Sequence, residues 1–239
     1  MKEIAIGIDI GGTNTKIGLV DREGNILYQD SISTMADGNV NDFIKFLKEK
    51  LTVILSSHSD ITIKGVGIGA PNANYYKGTI EYAPNIRWGE YIRFKEAFSQ
   101  QFDYPMVLTN DANAAALGEM VYGNARGMSD FVLITLGTGL GSGIVVNGNV
   151  VYGHDGFAGE LGHVNVKLAD TVLHTSPEAI FLFGGLVKAG DYLLTPTKKY
   201  MEESIFKMFK NKVKLLASGL MDRNAAVLGA SALVWKEFE

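Results

Sequence analysis

No cysteine occurs among the 239 residues. Disulfides and thiolate metal sites are therefore excluded, which fits a reducing compartment. Basic charge is not in excess either. The formal net charge is −4, so there is no electrostatic case for a nucleic-acid partner. No apolar run reaches the length of a membrane-spanning helix. The opening run MKEIAIGIDIGG is short, is broken by Asp9 and ends in Gly-Gly, so it reads as a buried strand rather than a signal peptide. A cytoplasmic chain without nucleic-acid or membrane partners is the expectation. No Gly-Lys-Ser/Thr occurs, which excludes a P-loop.

What is present is ordinary soluble composition, 46% hydrophobic and 20% charged, enough for one large domain or two small lobes around a cleft. Residues 4–10 and 16–20 read as strands joined at Gly11-Gly12, and Asp21, Gly24 and Asn25 close the next turn, so antiparallel hairpins are expected. Val40, Phe43, Ile44, Leu47, Leu51, Ile54 and Leu55 fall on one stripe of an amphipathic helix. A strand over 63–68 follows, then a polar, loop-like stretch over 72–91, a helix over 93–101, a strand over 106–108 and an Ala-rich helix over 112–122. The N-terminal theme then recurs. Residues 131–136 are apolar, 137–143 form a Gly-rich turn, 144–146 are apolar again, and Asn147-Gly148 signals a hairpin before 150–152. Strand, Gly-rich turn, strand appears twice, which suggests two similar lobes. Later come a strand over 180–183 closed by Gly184-Gly185, and helices over 198–210 and 223–236.

Two glycine turns carry the first chemistry. In DIGGTNTK, residues 9–16, glycines let backbone N–H groups approach a phosphate with no Cβ in the way. Thr13 and Asn14 add neutral donors, and Asp9 can hold Mg²⁺ through its waters. A plain glycine hairpin would look the same. In LGTGLGSG, residues 136–143, the spacing imitates a dinucleotide fingerprint, but a β pattern follows it instead of a helix. Two such hairpins are harder to dismiss than one. Asn110-Asp111 lies at a strand-to-helix junction, where an Asp is either a helix cap or a general base for a hydroxyl proton. GELGH, residues 159–163, places Glu160 and His163 three residues apart, both able to hydrogen-bond sugar hydroxyls.

With these residues the chain resembles the ROK family of sugar kinases and sugar-responsive repressors, of the hexokinase, Hsp70 and actin superfamily. DIGGTNTK resembles the first phosphate motif and GVGIGAPN, 65–72, the sugar-side loop. LTNDANAAALGE, 108–119, resembles the catalytic motif, and LGTGLGSGIVVNG, 136–148, the second phosphate motif. HDGFAGELGHV, 154–164, resembles the sugar signature and SPEAIFLFGGL, 176–186, the adenosine motif. The resemblance implies a two-lobed α/β fold of the actin-like, ribonuclease H-like kind, with mixed sheets and an interlobe cleft. The lobes would cover 1–109 and 110–220, and 221–239 would be a terminal helix returning to the first. It implies phosphorylation of a hexose or N-acylhexosamine by ATP with Mg²⁺. Asp111 would be the base. Asn110, Glu160 and His163 would hold the sugar, with Gly69 and Asn85 on the same side. Gly11, Gly12, Thr13, Asn14, Thr138 and Gly139 would hold phosphates, Asp9 the Mg²⁺, and Gly184 and Gly185 would lie under the adenosine. A homodimer is allowed for.

The pattern breaks after GELGH. There the family has a cysteine-rich zinc loop, a further sugar-binding Glu and several helices. Here thirteen positions, 164–176, bridge to the adenosine motif. Residues 168–175 resemble the end of the helix that precedes the adenosine strand. A missing Glu removes sugar hydrogen bonds of roughly 1–3 kcal/mol each. No tightly bound structural zinc is expected, and sugar affinity and turnover are expected to be weak or absent. The readings that compete with a kinase are a noncatalytic relative or a regulator without its DNA-binding domain, and, more distantly, an Hsp70-like or actin-like ATPase. The chain begins directly at its first strand, which reads against a transcription factor.

Overall fold

The computed structural model describes residues 1–137, 139–163 and 167–238. It divides into two compact units, Met1–Ala114 with Ala226–Glu239, and Ala115–Ala225.

In the first unit, strands β1 (Lys2–Ile10), β2 (Asn14–Val20) and β3 (Ile26–Ser33) form an antiparallel meander. Helix α1 (Val40–Ser56) follows, capped at Asn39, whose side chain accepts from the Asp42 N–H at 3.0 Å. β4 (Ile61–Ala70) then pairs parallel with β1, and β8 (Met106–Asn110) parallel with β4, giving the order β3-β2-β1-β4-β8. Between them lie β5 (Ala73–Asn74), β6 (Thr79–Glu81) and β7 (Tyr91–Ile92), paired as a small antiparallel sheet, and helix α2 (Phe94–Ser99). The stretch over 72–91 is thus not all loop. Strands of two or three residues are too short to show a period.

Alternation divides the faces of the large sheet. Ile4, Ile6, Ile8 and Ile10 enter one core with Phe43, Ile44, Leu47, Leu51 and Ile54 of α1 and with Phe94 and Phe98 of α2. Each such side chain stabilises by roughly 1.5–3 kcal/mol on burial. The other face has a floor without side chains, because Gly18, Gly7 and Gly67 stand in one row across β2, β1 and β4. A Cβ on Gly7 would lie 2.3 Å from the Val227 carbonyl oxygen, and one on Gly67 would lie 1.8 Å from that of Ala230. Helix α6 (Ala225–Glu237), rich in small residues, therefore lies backbone against backbone on this row.

The second unit repeats the scheme. β9 (Phe131–Leu136), β10 (Leu140–Val146) and β11 (Asn149–Val150) are antiparallel, while β12 (Ala179–Phe183) and β13 (Lys214–Ala217) continue parallel to β9, in the order β11-β10-β9-β12-β13. The duplication read from the two Gly-rich turns is thus a duplicated sheet. Helix α3 (Asp111–Tyr122) sends Ala115 and Ala116 into one core with Phe131, Leu133 and Phe181. Helices α4 (Leu168–Thr175) and α5 (Asp191–Ser204) close the other face, with Val172 and Met201 against Val132, Ile134, Ile180 and Leu182.

The helix expected over 198–210 is shifted, since α5 starts at Asp191 and ends at Ser204. Pro196 lies inside it, on an exposed position, where a missing N–H and the carbonyl it frees are tolerated in contact with water. Among the described residues no helix is long and apolar enough to cross a membrane.

Candidate functional site

The β1–β2 junction forms the first glycine turn. The Gly11 N–H donates to the Asn14 carbonyl at 3.1 Å and so closes the turn. A Cβ on Gly12 would stand 2.7 Å from the Asn85 Cβ, so the sugar-side candidate Asn85 lies directly on this turn. Thr13 and Asn14 are exposed.

The turn is held from behind by Thr34, which sequence reasoning missed. The Thr34 hydroxyl donates to the Gly11 carbonyl at 2.7 Å, and its N–H donates to that of Thr13 at 3.0 Å. Because that hydroxyl proton is engaged, Thr15 must donate to Thr34 across their 2.9 Å contact. Only the pairing of β2 with β3 brings Thr34 here, and nothing local in the sequence signals it.

Asp9, the last residue but one of β1, stands in a row that runs from Lys16 on β2 through Gly69 on β4 to Thr109 on β8. Gly69 has no side chain, and the first turn of α3 settles over it. A Cβ there would lie 3.3 Å from the Ala114 Cβ and 3.6 Å from the Asp111 Cα. This gap is what brings Asp111 near Asp9. Burial pushes the Asp9 carboxyl up to about 6; Lys16 opposes the rise, and the charge of Asp111 adds to it. Crowding by protein atoms raises the Asp111 carboxyl too, although solvent reaches it and the Ala112 N–H favours its ionised form.

At the start of α3 the capping is shared. The Asn110 side-chain oxygen accepts from the N–H groups of Ala112 at 2.8 Å and Asn113 at 3.2 Å. An Asp111 oxygen also accepts from Ala112, at 2.8 Å. Asn110 therefore does the bridging expected of a cap, and Asp111 is not needed for it.

In the second unit the second glycine turn meets the Gly184-Gly185 pair. Gly184, at φ 120°, lies where a Cβ would be 2.2 Å from the Leu136 carbonyl oxygen, at the end of β9. Gly139 and Gly185 face open space, with nothing within 4 Å of a Cβ position. Thr138 lies outside the described residues. The C-terminal ends of the parallel strands β9, β12 and β13 thus present glycine-lined backbone, the place where open α/β sheets receive ligands.

Behind β13 sits Glu119, fully buried and with no role assigned from sequence, although it closes the catalytic motif. Its carboxylate accepts from the Ser218 hydroxyl at 2.5 Å and from the N–H groups of Gly219 and Asn124, both at 2.8 Å.

Glu160 and His163 stand together on the GELGH loop, with His163 Nε2 4.0 Å from a Glu160 carboxylate oxygen. The His163 side chain is 82% exposed. Among the described residues no group of three or more His, Asp or Glu side chains is arranged to hold a metal ion.

The donor set fits the groups that the resemblance implies. A half-buried carboxylate raised to about 6 with a second carboxylate nearby gains from a hydrated divalent cation, and glycines whose Cβ positions are open or forbidden fit a phosphate chain and nucleoside.

A meander continued by parallel strands, present in each unit with a glycine turn between its first two strands, is the actin-like ATPase fold. Residues 5–171 match the ROK family, and the chain belongs to that family. The chain is 39% identical over 166 residues to a glucokinase of Halalkalibacterium halodurans, covering 67% of this chain and 49% of that protein. It is 31% identical over 170 residues to a xylose repressor of Caldicellulosiruptor bescii, covering 70% and 42%. A solved ROK family glucokinase from Streptomyces griseus, in complex with glucose and AMPPNP, superposes with TM-score 0.80 at 25% identity, over 98% of this chain and 99% of that one. The chain spans about half the length of such curated relatives in the matched regions.

Proposed function

We propose that this chain phosphorylates a hexose or N-acylhexosamine hydroxyl with ATP, and that Asp111 is the general base. The observation that carries the reading is the state of Asp111. Its carboxyl is raised, it stands beside Asp9, and Asn110 supplies the cap that would otherwise account for it. A raised carboxyl is a better proton acceptor near neutral pH.

In this reading the sugar hydroxyl gives its proton to Asp111 as its oxygen bonds to the terminal phosphorus, and the bond from that phosphorus to the bridging oxygen breaks to leave ADP. Asp9 would hold a Mg²⁺ ion, which when bound would supply neutralisation of phosphate charge. Gly12, Thr13, Asn14, Thr138 and Gly139 hold phosphates, and Gly184 and Gly185 the adenosine. Asn110, Glu160 and His163, with Gly69 and Asn85, orient the sugar. The named activity of the glucokinase relative supports the substrate class.

A coupled assay for ADP over a panel of hexoses, with and without Mg²⁺, tests this. The expected result is slow ADP formation that requires both sugar and Mg²⁺. ADP formation indifferent to sugar would overturn it.

One observation favours a second reading, a sugar-binding relative without turnover: His163 is 82% exposed, and among the described residues the acidic group placed beside it is Glu160. Calorimetric binding of glucose without any ADP formation would select that reading.

A further inference from the structure

The glycine-rich turn over 136–143 contains Ser142, which by sequence alone is one more member of a phosphate loop. Its side chain turns elsewhere. Ser142 lies on β10, is 5% exposed, and donates its hydroxyl hydrogen bond to the Gly159 carbonyl. The Leu161 N–H in turn donates to the Ser142 oxygen at 3.4 Å and to the Gly159 carbonyl at 2.9 Å. One hydroxyl therefore ties the residues on both sides of Glu160.

Two glycines complete the contact. Gly159 has φ 93°, and a Cβ there would meet the Ser142 carbonyl oxygen at 3.2 Å. A Cβ on Gly162 would lie 2.0 Å from the Leu140 carbonyl oxygen. The GELGH loop is thus laid directly on the backbone of β10, the strand that leaves the second phosphate turn.

We infer that Ser142 is a positioning residue for sugar recognition: by holding Gly159 and Leu161 on β10 it fixes the direction of Glu160 and His163, and it takes no part in nucleotide binding. The inference rests on the proposed function for what the loop binds, but not for how the loop is held. Glu160 sits between the two tied residues, so its backbone cannot turn without breaking one of these hydrogen bonds. Loss of the hydroxyl leaves a part-buried carbonyl without that donor and frees the loop to sample directions that do not meet a sugar.

The test compares wild type with Ser142→Ala and Ser142→Thr. Hydrogen exchange followed by mass spectrometry reads the peptide covering 159–163 without any ligand. Calorimetry reads glucose, and separately AMPPNP with Mg²⁺. In Ser142→Ala the peptide should exchange faster, glucose affinity should fall about tenfold, and AMPPNP affinity should stay within about twofold. Ser142→Thr keeps the hydroxyl and should recover glucose affinity. Gly162→Ala leaves Ser142 intact but lifts the loop from Leu140, and should give the same glucose-selective loss should Ser142→Ala fail to fold. Unchanged exchange in Ser142→Ala, or an equal loss for both ligands, would overturn the inference. If wild type binds AMPPNP but no glucose, the proposed function fails on its sugar side, and the exchange result alone decides whether Ser142 holds the loop.

Discussion

The carbonyl oxygen of Ala230 lies 1.8 Å from the point where a Cβ on Gly67 would stand, so the terminal helix rests on the sheet with no side chain between them. A methyl group at Gly67 has nowhere to go, because the atom it meets is backbone. Gly67→Ala is expected to destabilise by about 2–3 kcal/mol or more through overpacking, read as a lower midpoint in urea unfolding. An unchanged midpoint would mean that α6 shifts freely on this floor.

Glu119 is a buried carboxylate held by hydrogen bonds from Ser218, Gly219 and Asn124. Glu119→Ala would leave a buried hydroxyl and two N–H donors without their acceptor and open a cavity, at a cost of about 3–5 kcal/mol. Glu119→Gln keeps one oxygen for the two N–H groups and turns an amide toward Ser218, whose oxygen can accept from it. That variant should lose about 1 kcal/mol. Chemical denaturation of both variants checks the difference, and equal losses would contradict this arrangement.

Asp9 makes stability depend on pH. Its folded carboxyl is raised from 3.8 to about 6, so the folded protein holds a proton that the unfolded chain releases. The stabilisation is fully present below about pH 4 and is lost as pH rises through about 6. At pH 7.5 Asp9→Asn should therefore be more stable than wild type by about 1–3 kcal/mol, and the gain should vanish near pH 4. Thermal unfolding across this range measures it. A wild type and variant with parallel pH profiles would show that Asp9 is not desolvated as described.

Much of this was legible in the sequence where a period or a motif was local. The stripe from Phe43 to Ile54 and the alternation of Ile4, Ile6, Ile8 and Ile10 led directly to one core. The two glycine turns announced the duplicated sheet. The short strands β5, β6 and β7 were hidden because so few residues carry no period, and β13 was missed for the same reason. The helix expected over 198–210 starts earlier, at Asp191, with Pro196 tolerated on its exposed side. At the site, the motifs named Asp9, Asp111, Glu160 and Gly184 by position. Other side-chain contacts were not local: Thr34 reaches Gly11 across the pairing of two strands, and Glu119 meets Ser218 99 residues away. Ser142 sat in plain view inside a glycine motif, but its direction depends on where the GELGH loop comes to lie.

The most direct measurement is hexose-dependent turnover in Asp111→Asn, with glucose binding followed in parallel by calorimetry. The substitution keeps the side chain's shape and an oxygen for the Ala112 N–H, and removes the proton acceptor. Turnover is expected to fall by about 10²–10⁴-fold while glucose affinity stays within about threefold. Turnover equal to wild type would contradict it and leave Asp111 as no more than the first residue of a helix.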